Sequence, residues 1–243
     1  VRRDARILVV IPAYNEEVNV GKVIREVKKE AGYVDVLVVD DGATDATASA
    51  AAEAGAMVVR LPFNLGMFEA VRTGFVFAHR NGYDIAIQVD ADGQHVPGEI
   101  AQLVEPVLKD GYDVVVGSRY LEDRGYKTPL MRKVGIRLFA WLTSVALGQK
   151  ITDTTCGFRA YGERAVRISA RYDSTEFKDS VGLVVLGRAG LKIKEIPVTV
   201  RERIGGRSTI SAIRAFVYPF EFILSLVAVL VRKRLTVPGG DVC

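Results

Sequence analysis

From the N-terminus to about residue 117, short apolar runs alternate with stretches in which apolar residues recur every three or four positions. The runs "RILVVI", "VDVLVVD", "MVVRL", "DIAIQVD" and "YDVVVG" are rich in β-branched residues and predict strands. Between them, helical periodicity predicts a helix from about Val18, one through "TASAAAEAG", and others over "MFEAVRTGFVFAHRNG" and "PGEIAQLVEPVLKDG". Gly55, Gly82 and Gly111 stand where helices should stop, and Pro97 where one can start. This alternation predicts an α/β fold, a mostly parallel central sheet with helices on both faces.

Beyond residue 120 the pattern changes to an amphipathic stretch, "PLMRKVGIRLFAWLTSVALG", then short elements and a late strand, "LKIKEIPVTV". We read residues 1–210 as one body and 211–243 as a C-terminal elaboration. Within the latter, "AFVYPFEFILSLVAVLV" (215–231) is flanked by Arg214 and by Arg232, Lys233 and Arg234. As a helix it would reach about 25 Å against a hydrocarbon core of about 30 Å, and it contains Pro219 and Glu221, so it is a poor membrane span. Three readings stay open: a helix in the membrane interface with a basic collar, a docking surface for a small membrane protein partner, or a core helix. The stripe around Trp141 reads equally as core or as membrane-facing.

At 243 residues the chain can bury a sizeable core. Its net charge of +4 is mild and its basic residues fall in separate clusters, which argues against nucleic acid and for scattered phosphate-binding arginines. The two cysteines, Cys156 and Cys243, lack metal-ligand spacing. The opening "VRRDARILVV" has no signal-peptide succession, so a cytoplasmic body is expected. A homo-oligomer stays open.

In open parallel sheets ligands bind beyond the carboxyl ends of the strands. The polar clusters "PAYNEE", "DDGATD", "DADGQH" and "GSRY" follow the first, second, fourth and fifth strands, so they should converge on one edge. No G-x-G-x-x-G follows the first strand and no P-loop occurs, so a bound diphosphate would need a metal ion and arginines to meet its charge. In "DADGQH", carboxylates at i and i+2 beyond a buried strand suit Mg²⁺ or Mn²⁺, with Gln94 adding an amide oxygen; alone, the triplet reads equally as an Asp-Gly turn.

With "VVIPAYNEE", "VVDDGATDAT", "NLG…AVRTG", "VDADGQHVP", "VVVGSRY", "GFRAY" and "EIPVTVRERIGGRS" in order, roughly residues 6–210 resemble a family 2 glycosyltransferase of GT-A fold, most closely the dolichol- or polyprenyl-phosphate mannose synthase branch. The resemblance implies transfer of a hexose, mannose or glucose, from a GDP- or UDP-sugar to a polyprenyl phosphate with inversion, at the cytoplasmic face of a membrane. It implies that Pro12, Tyr14 and Glu16 hold the nucleobase and ribose beside Val39 and Asp41. Asp90, Ala91, Asp92 and Gln94 would form the metal and diphosphate corner, with Asp90, Asp92 and Gln94 as metal ligands. Arg119 and Arg203 would contact phosphates, and the catalytic set would be Asp92, Arg119 and Arg203.

The chain also departs from the family pattern. Thr209 of "GGRST" stands where a phosphate-binding lysine is usual, with Arg207 two residues away, and Arg132 is followed at i+4 by Ile136 where serine is common. Arg132 and Arg207 are the acceptor-phosphate candidates. A lipid phosphate is largely ionised at neutral pH and needs no strong general base. A sugar hydroxyl acceptor would need one, for which Glu176 and Asp179 are the acidic candidates. A non-catalytic nucleotide-sugar-binding subunit of a membrane complex is a further alternative, opposed by the intact acidic pair and arginines.

Plainer readings stand beside these. Glu16 and Glu17 can favour the N-terminus of the following helix, and Asp40 and Asp41 can form a turn, Asp40 being the more structural. His95 is read as a bystander, facing water ahead of a Pro-initiated helix rather than ligating metal. His79 serves helix-end carbonyls, and Cys156 is a small packed residue.

Overall fold

The computed structural model describes residues 5–124, 130–171, 179–201 and 212–231. The first part follows the expected alternation: β1 (Ile7–Ala13), α1 (Val20–Glu30), β2 (Asp35–Asp40), α2 (Thr47–Glu53), β3 (Met57–Arg60), α3 (Met67–Arg80), β4 (Ile85–Gln88), a 3₁₀ turn at Pro97–Glu99, α4 (Ile100–Lys109) and β5 (Val114–Ser118). α2, α3 and α4 end just ahead of Gly55, Gly82 and Gly111, all at positive φ. Then come α5 (Leu130–Leu147), β6 (Arg159–Gly162), α6 (Glu163–Arg171), α7 (Asp179–Arg188), β7 (Ile193–Pro197) and α8 (Ala212–Val231).

The strands form one sheet in the order β3-β2-β1-β4-β6-β5-β7. Every pairing is parallel except those of β6, which runs antiparallel between β4 and β5. The carboxyl ends of β1, β2, β4 and β5 therefore share one edge. Because β6 runs the other way, it is the segment before it, residues 152–158, that reaches this edge.

Alternate residues of the buried strands feed two cores. Ile7, Val9, Ile11, Val38 and Ile87 meet Val23, Ile24 and Val27 of α1 and Ile100 and Leu103 of α4. On the other face Leu8, Val10, Leu37 and Val39 meet Val71 and Phe75 of α3, Val166 and Ile168 of α6, and Leu183 and Leu186 of α7. A third cluster joins Phe139 of α5, Val181, Val184 and Val185 of α7, and Phe222 and Leu226 of α8, with the Phe139 and Phe222 rings 4.5 Å apart. α8 thus packs on α5 and α7 through Phe222 and Leu226.

The opposite faces stay apolar and exposed. On α5 these are Val134, Leu138, Trp141 and Val145; on α8 they are Phe220, Ile223, Leu224, Val227, Leu230 and Val231. The spacings are those of single helical stripes. Among the described residues, no helix is long and apolar enough to cross a membrane.

Candidate active site

The loops after β1 and β2 are bonded to each other. Asn15 Oδ1 accepts from the Thr44 amide at 2.9 Å, Glu17 Oε2 accepts from the Ala46 amide at 2.9 Å, and the Glu16 amide donates to Thr47 Oγ1 at 2.9 Å. Ala46 caps α2, so Glu17 serves the N-terminus of α2 and not that of the helix following it in sequence. Glu16 Oε2 accepts from Asn19 Nδ2 at 2.8 Å. Tyr14 remains exposed at this edge, while Pro12 and Val39 pair in register and are buried. Val39 is wholly enclosed in the core that includes Val71 and Phe75 of α3.

The acidic pair at the end of β2 is bonded into the fold. Asp40 is 1 % exposed, accepts from the Ala43 amide at 2.7 Å and pairs with Arg60 Nε at 3.2 Å. Asp41 is 3 % exposed, and its two oxygens accept from the Leu65 amide at 2.7 Å and the Gly66 amide at 2.9 Å. Burial raises the Asp41 carboxyl above its ordinary value against the pull of these two amides. Its position is that of a clamp between β2 and the loop leading into α3. Gly42 lets that loop approach: a Cβ there would lie 2.5 Å from the Phe63 carbonyl carbon, and its φ of +68° also suits glycine.

The pair after β4 is different. The Asp90 side chain is 32 % exposed, and among the described residues the donors nearest its oxygens are distant, Gln88 Nε2 at 3.4 Å and His95 Nε2 at 3.6 Å. Asp92 is half-buried, with Oδ1 accepting from the Gln94 amide at 3.1 Å. Ala91 is buried, and Gln94 directs its Nε2 to the Arg201 carbonyl at 3.2 Å. Among the described residues, no three His, Cys, Asp or Glu side chains converge into a metal cage. Two carboxylates with oxygen donors only nonetheless fit Mg²⁺ or Mn²⁺ where substrate phosphates and waters supply the remaining ligands.

Arg119, after β5, lies in a buried ion pair. Nε donates to Asp153 Oδ2 at 2.6 Å, and Nη2 donates to Asp153 Oδ1 at 2.9 Å and Thr155 Oγ1 at 2.6 Å. Asp153 is fully buried; burial alone would raise its carboxyl, but the Arg119 guanidinium outweighs it and holds the carboxyl below the ordinary value. Glu195 of β7 accepts from the Thr152 amide at 2.8 Å and the Asp153 amide at 2.9 Å, and burial pushes its carboxyl upward. Arg159 donates to the Thr154 and Cys156 carbonyls at 2.6 and 2.8 Å. The 152–156 loop is thereby fixed, and with it the orientation of Arg119.

Comparison with known proteins agrees with this geometry. The family model described as "Glycosyl transferase family 2" matches residues 8–168. The chain belongs to that family. It is 32% identical to the polyprenol monophosphomannose synthase of Mycolicibacterium smegmatis, over 87% of this chain and 83% of that protein. It is 30% identical to the UDP-N-acetylglucosamine--dolichyl-phosphate N-acetylglucosaminyltransferase of Methanococcus voltae, over 80% and 85%. In structure it resembles glucosyl-3-phosphoglycerate synthase of Mycobacterium tuberculosis, crystallised with Mn²⁺, UDP-glucose and phosphoglyceric acid, at TM-score 0.69 and 22% identity over 93% of this chain and 79% of that one. That likeness establishes the GT-A fold.

For this family 2 glycosyltransferase, the four loops do meet at one edge. Arg203 and Arg207 lie outside the described residues, as do Glu176 and Thr209; Arg132 falls in α5 and Asp179 opens α7, with their side chains outside the description. His95 is corrected: it does not face water but is 5 % exposed and stacked on Phe158, ring centroids 4.9 Å apart. The Cys156 thiol is pushed up to about 12 by burial, in keeping with a packed residue and not a nucleophile. Sequence reasoning missed Asp153, Glu195 and Arg159. The available signal was that an arginine at a strand end needs a counter-ion, and "TDTTC" supplies an acid among small residues.

Proposed function

We propose that the protein transfers a hexose, mannose or glucose, from a GDP- or UDP-sugar to a polyprenyl or dolichyl phosphate, with inversion, while held peripherally at the cytoplasmic face of a membrane. The observation that carries the reading is the contrast at the sheet edge: Asp90 and Asp92 stand half-exposed where Asp40 and Asp41 are consumed by the fold. The acceptor class is supported by the names of the relatives, which act on polyprenol or dolichyl phosphate. The apolar stripes of α5 and α8 support residence beside a lipid, whether laid on its surface or docked on a small membrane protein.

In this mechanism Tyr14, with Pro12, Glu16, the Val39 main chain and the Asp41 clamp, forms the nucleoside wall. Asp90, Asp92 and Gln94 would hold Mg²⁺ or Mn²⁺, which would supply charge neutralisation for the departing diphosphate. Arg119, oriented by Asp153, and Arg203 meet phosphate oxygens, and Arg132 and Arg207 receive the acceptor phosphate. The ionised lipid phosphate attacks the anomeric carbon in line as the bond to the diphosphate breaks. No side chain need take a proton, so placement and charge carry the rate.

The test is incubation with labelled GDP-mannose, GDP-glucose or UDP-glucose, Mn²⁺ or Mg²⁺, and a short polyprenyl phosphate. Label extracted into organic solvent is the expected product; label found only on soluble glycans, or no turnover with any donor, overturns the reading. Co-sedimentation with lipid vesicles, weakened when Trp141 and Leu224 are replaced by serine, checks the peripheral attachment.

A further inference from the structure

The motif "GFRAY" takes no part in the donor and acceptor contacts above, yet its first residues lie directly under Asp90. A Cβ on Gly157 would stand 2.8 Å and 2.9 Å from the two Asp90 carboxylate oxygens and 2.9 Å from Gln88 Nε2. These are closer than real Cβ contacts. Glycine at 157 therefore leaves the space that the carboxylate occupies.

From the other side, His95 Nδ1 accepts the Asp90 main-chain N–H at 3.1 Å. A ring nitrogen that accepts carries no proton, so in the neutral ring the hydrogen is on Nε2, the atom 3.6 Å from Asp90 Oδ2. The imidazole is fixed in turn. Its ring lies nearly parallel to Phe158, 13° between planes, and its main chain bridges to Val200, beside the bond from the Arg201 amide to the Gln94 carbonyl at 2.8 Å. One histidine thus fixes the Asp90 main chain by a hydrogen bond and sets Nε2 beside its carboxylate, beyond hydrogen-bonding distance, while Gly157 and Phe158 form the bed.

We propose that His95 and Gly157 are positioning residues that set the Asp90 carboxylate for its work in the metal and diphosphate corner. The proposal rests on the reading of Asp90 as a member of that corner. Groups that orient ligating carboxylates commonly change metal affinity or activity by about 10–100-fold when removed.

The experiment compares the full chain with its G157A, H95F, H95N and D90A variants. The readouts are the unfolding midpoint without additions, the rise in that midpoint produced by Mn²⁺ with GDP or with UDP, and the Mn²⁺ concentration giving half of that rise. H95F keeps the stack on Phe158 and loses both nitrogens; H95N keeps an acceptor near the place of Nδ1. G157A and H95F are expected to raise the half-saturating Mn²⁺ about tenfold or more, as D90A does, while H95N recovers most of the loss. Nitrogen NMR of the wild-type protein without metal should show His95 protonated at Nε2 and not at Nδ1.

Normal Mn²⁺ dependence in G157A and H95F, with D90A impaired, overturns the positioning role and leaves Asp90 in the site. A proton on Nδ1 in neutral His95 overturns it equally. Normal Mn²⁺ dependence in D90A removes Asp90 from the corner and both readings fail together.

Discussion

Two acidic pairs follow parallel strands at the same edge of the sheet, and both precede a glycine. At the end of β2, Asp40 and Asp41 are enclosed: both Asp41 oxygens and Asp40 Oδ1 accept main-chain amides, and Asp40 Oδ2 lies in an ion pair with Arg60. After β4, Asp90 and Asp92 are half-exposed, and the donors around Asp90 stand off at 3.4 and 3.6 Å. A carboxylate whose oxygens are filled at hydrogen-bonding distance contributes to folding. One held by distant donors retains its affinity for a cation and leaves the protein with charge to be neutralised. The difference lies in what approaches the carboxylates: the 63–66 loop brings two amides onto Asp41, whereas Gly157, without a side chain, lies against Asp90.

The largest expected effect separates the two pairs by activity. Replacing Asp92 with alanine should lower kcat by about 10³-fold, the order found when a group stabilising developing charge is lost, with little change in the urea midpoint. Chelation with EDTA should abolish wild-type turnover; persisting activity without divalent metal would break the comparison.

Next in size is Asp153, a third acid that is buried like the β2 pair yet serves the site through Arg119. Asp153→Asn should destabilise by about 3 kcal/mol at neutral pH, because the guanidinium is left in a dry place without its charge partner. The folded-state carboxyl is depressed below its ordinary 3.8, so its contribution is fully present above that value and is lost as pH falls through the lower folded value. The acid limb of the wild-type stability curve should therefore flatten in Asp153→Asn. Glu195, whose carboxyl is raised, acts oppositely: its contribution is present at low pH and fades as pH rises through its folded value.

A smaller effect, about 2 kcal/mol in urea unfolding, is expected for Asp41→Ala, which leaves the Leu65 and Gly66 amides without their acceptor. Its Mn²⁺ requirement should match wild type. A raised Mn²⁺ requirement would show that the β2 pair also belongs to the metal corner.

Much of this was legible in the sequence. β1 to β5 and the helices between them follow from composition, period and punctuation, because their strands are β-branched apolar runs and their helices are not. β6 was not legible as a strand: "RAYG" holds no β-branched residue and no apolar run, unlike the equally short β3 and β4. Since β6 sets which loop reaches the edge, the partners of Arg119 were hidden with it. The "DADGQH" loop was readable as a site, but the inward turn of His95 depended on Phe158, distant in sequence and brought near by that same strand. The two Asp-Gly sequences look alike because the letters record a carboxylate and not whether its oxygens are filled.

The antiparallel strand also has a consequence for the order in which the molecule assembles. β6 enters between β4 and β5, so β5 finds no neighbour on that side until residues 159–162 have been made, whereas β1 to β4 can pair earlier from a nearly contiguous stretch. The bed of Gly157 and Phe158 arrives with the same late strand. During synthesis the first half of the sheet is thus expected to form before its acidic corner is shaped. Pulse-labelled hydrogen exchange should find the amide of Asp90 protected together with β6; protection arriving with β1 would contradict this order.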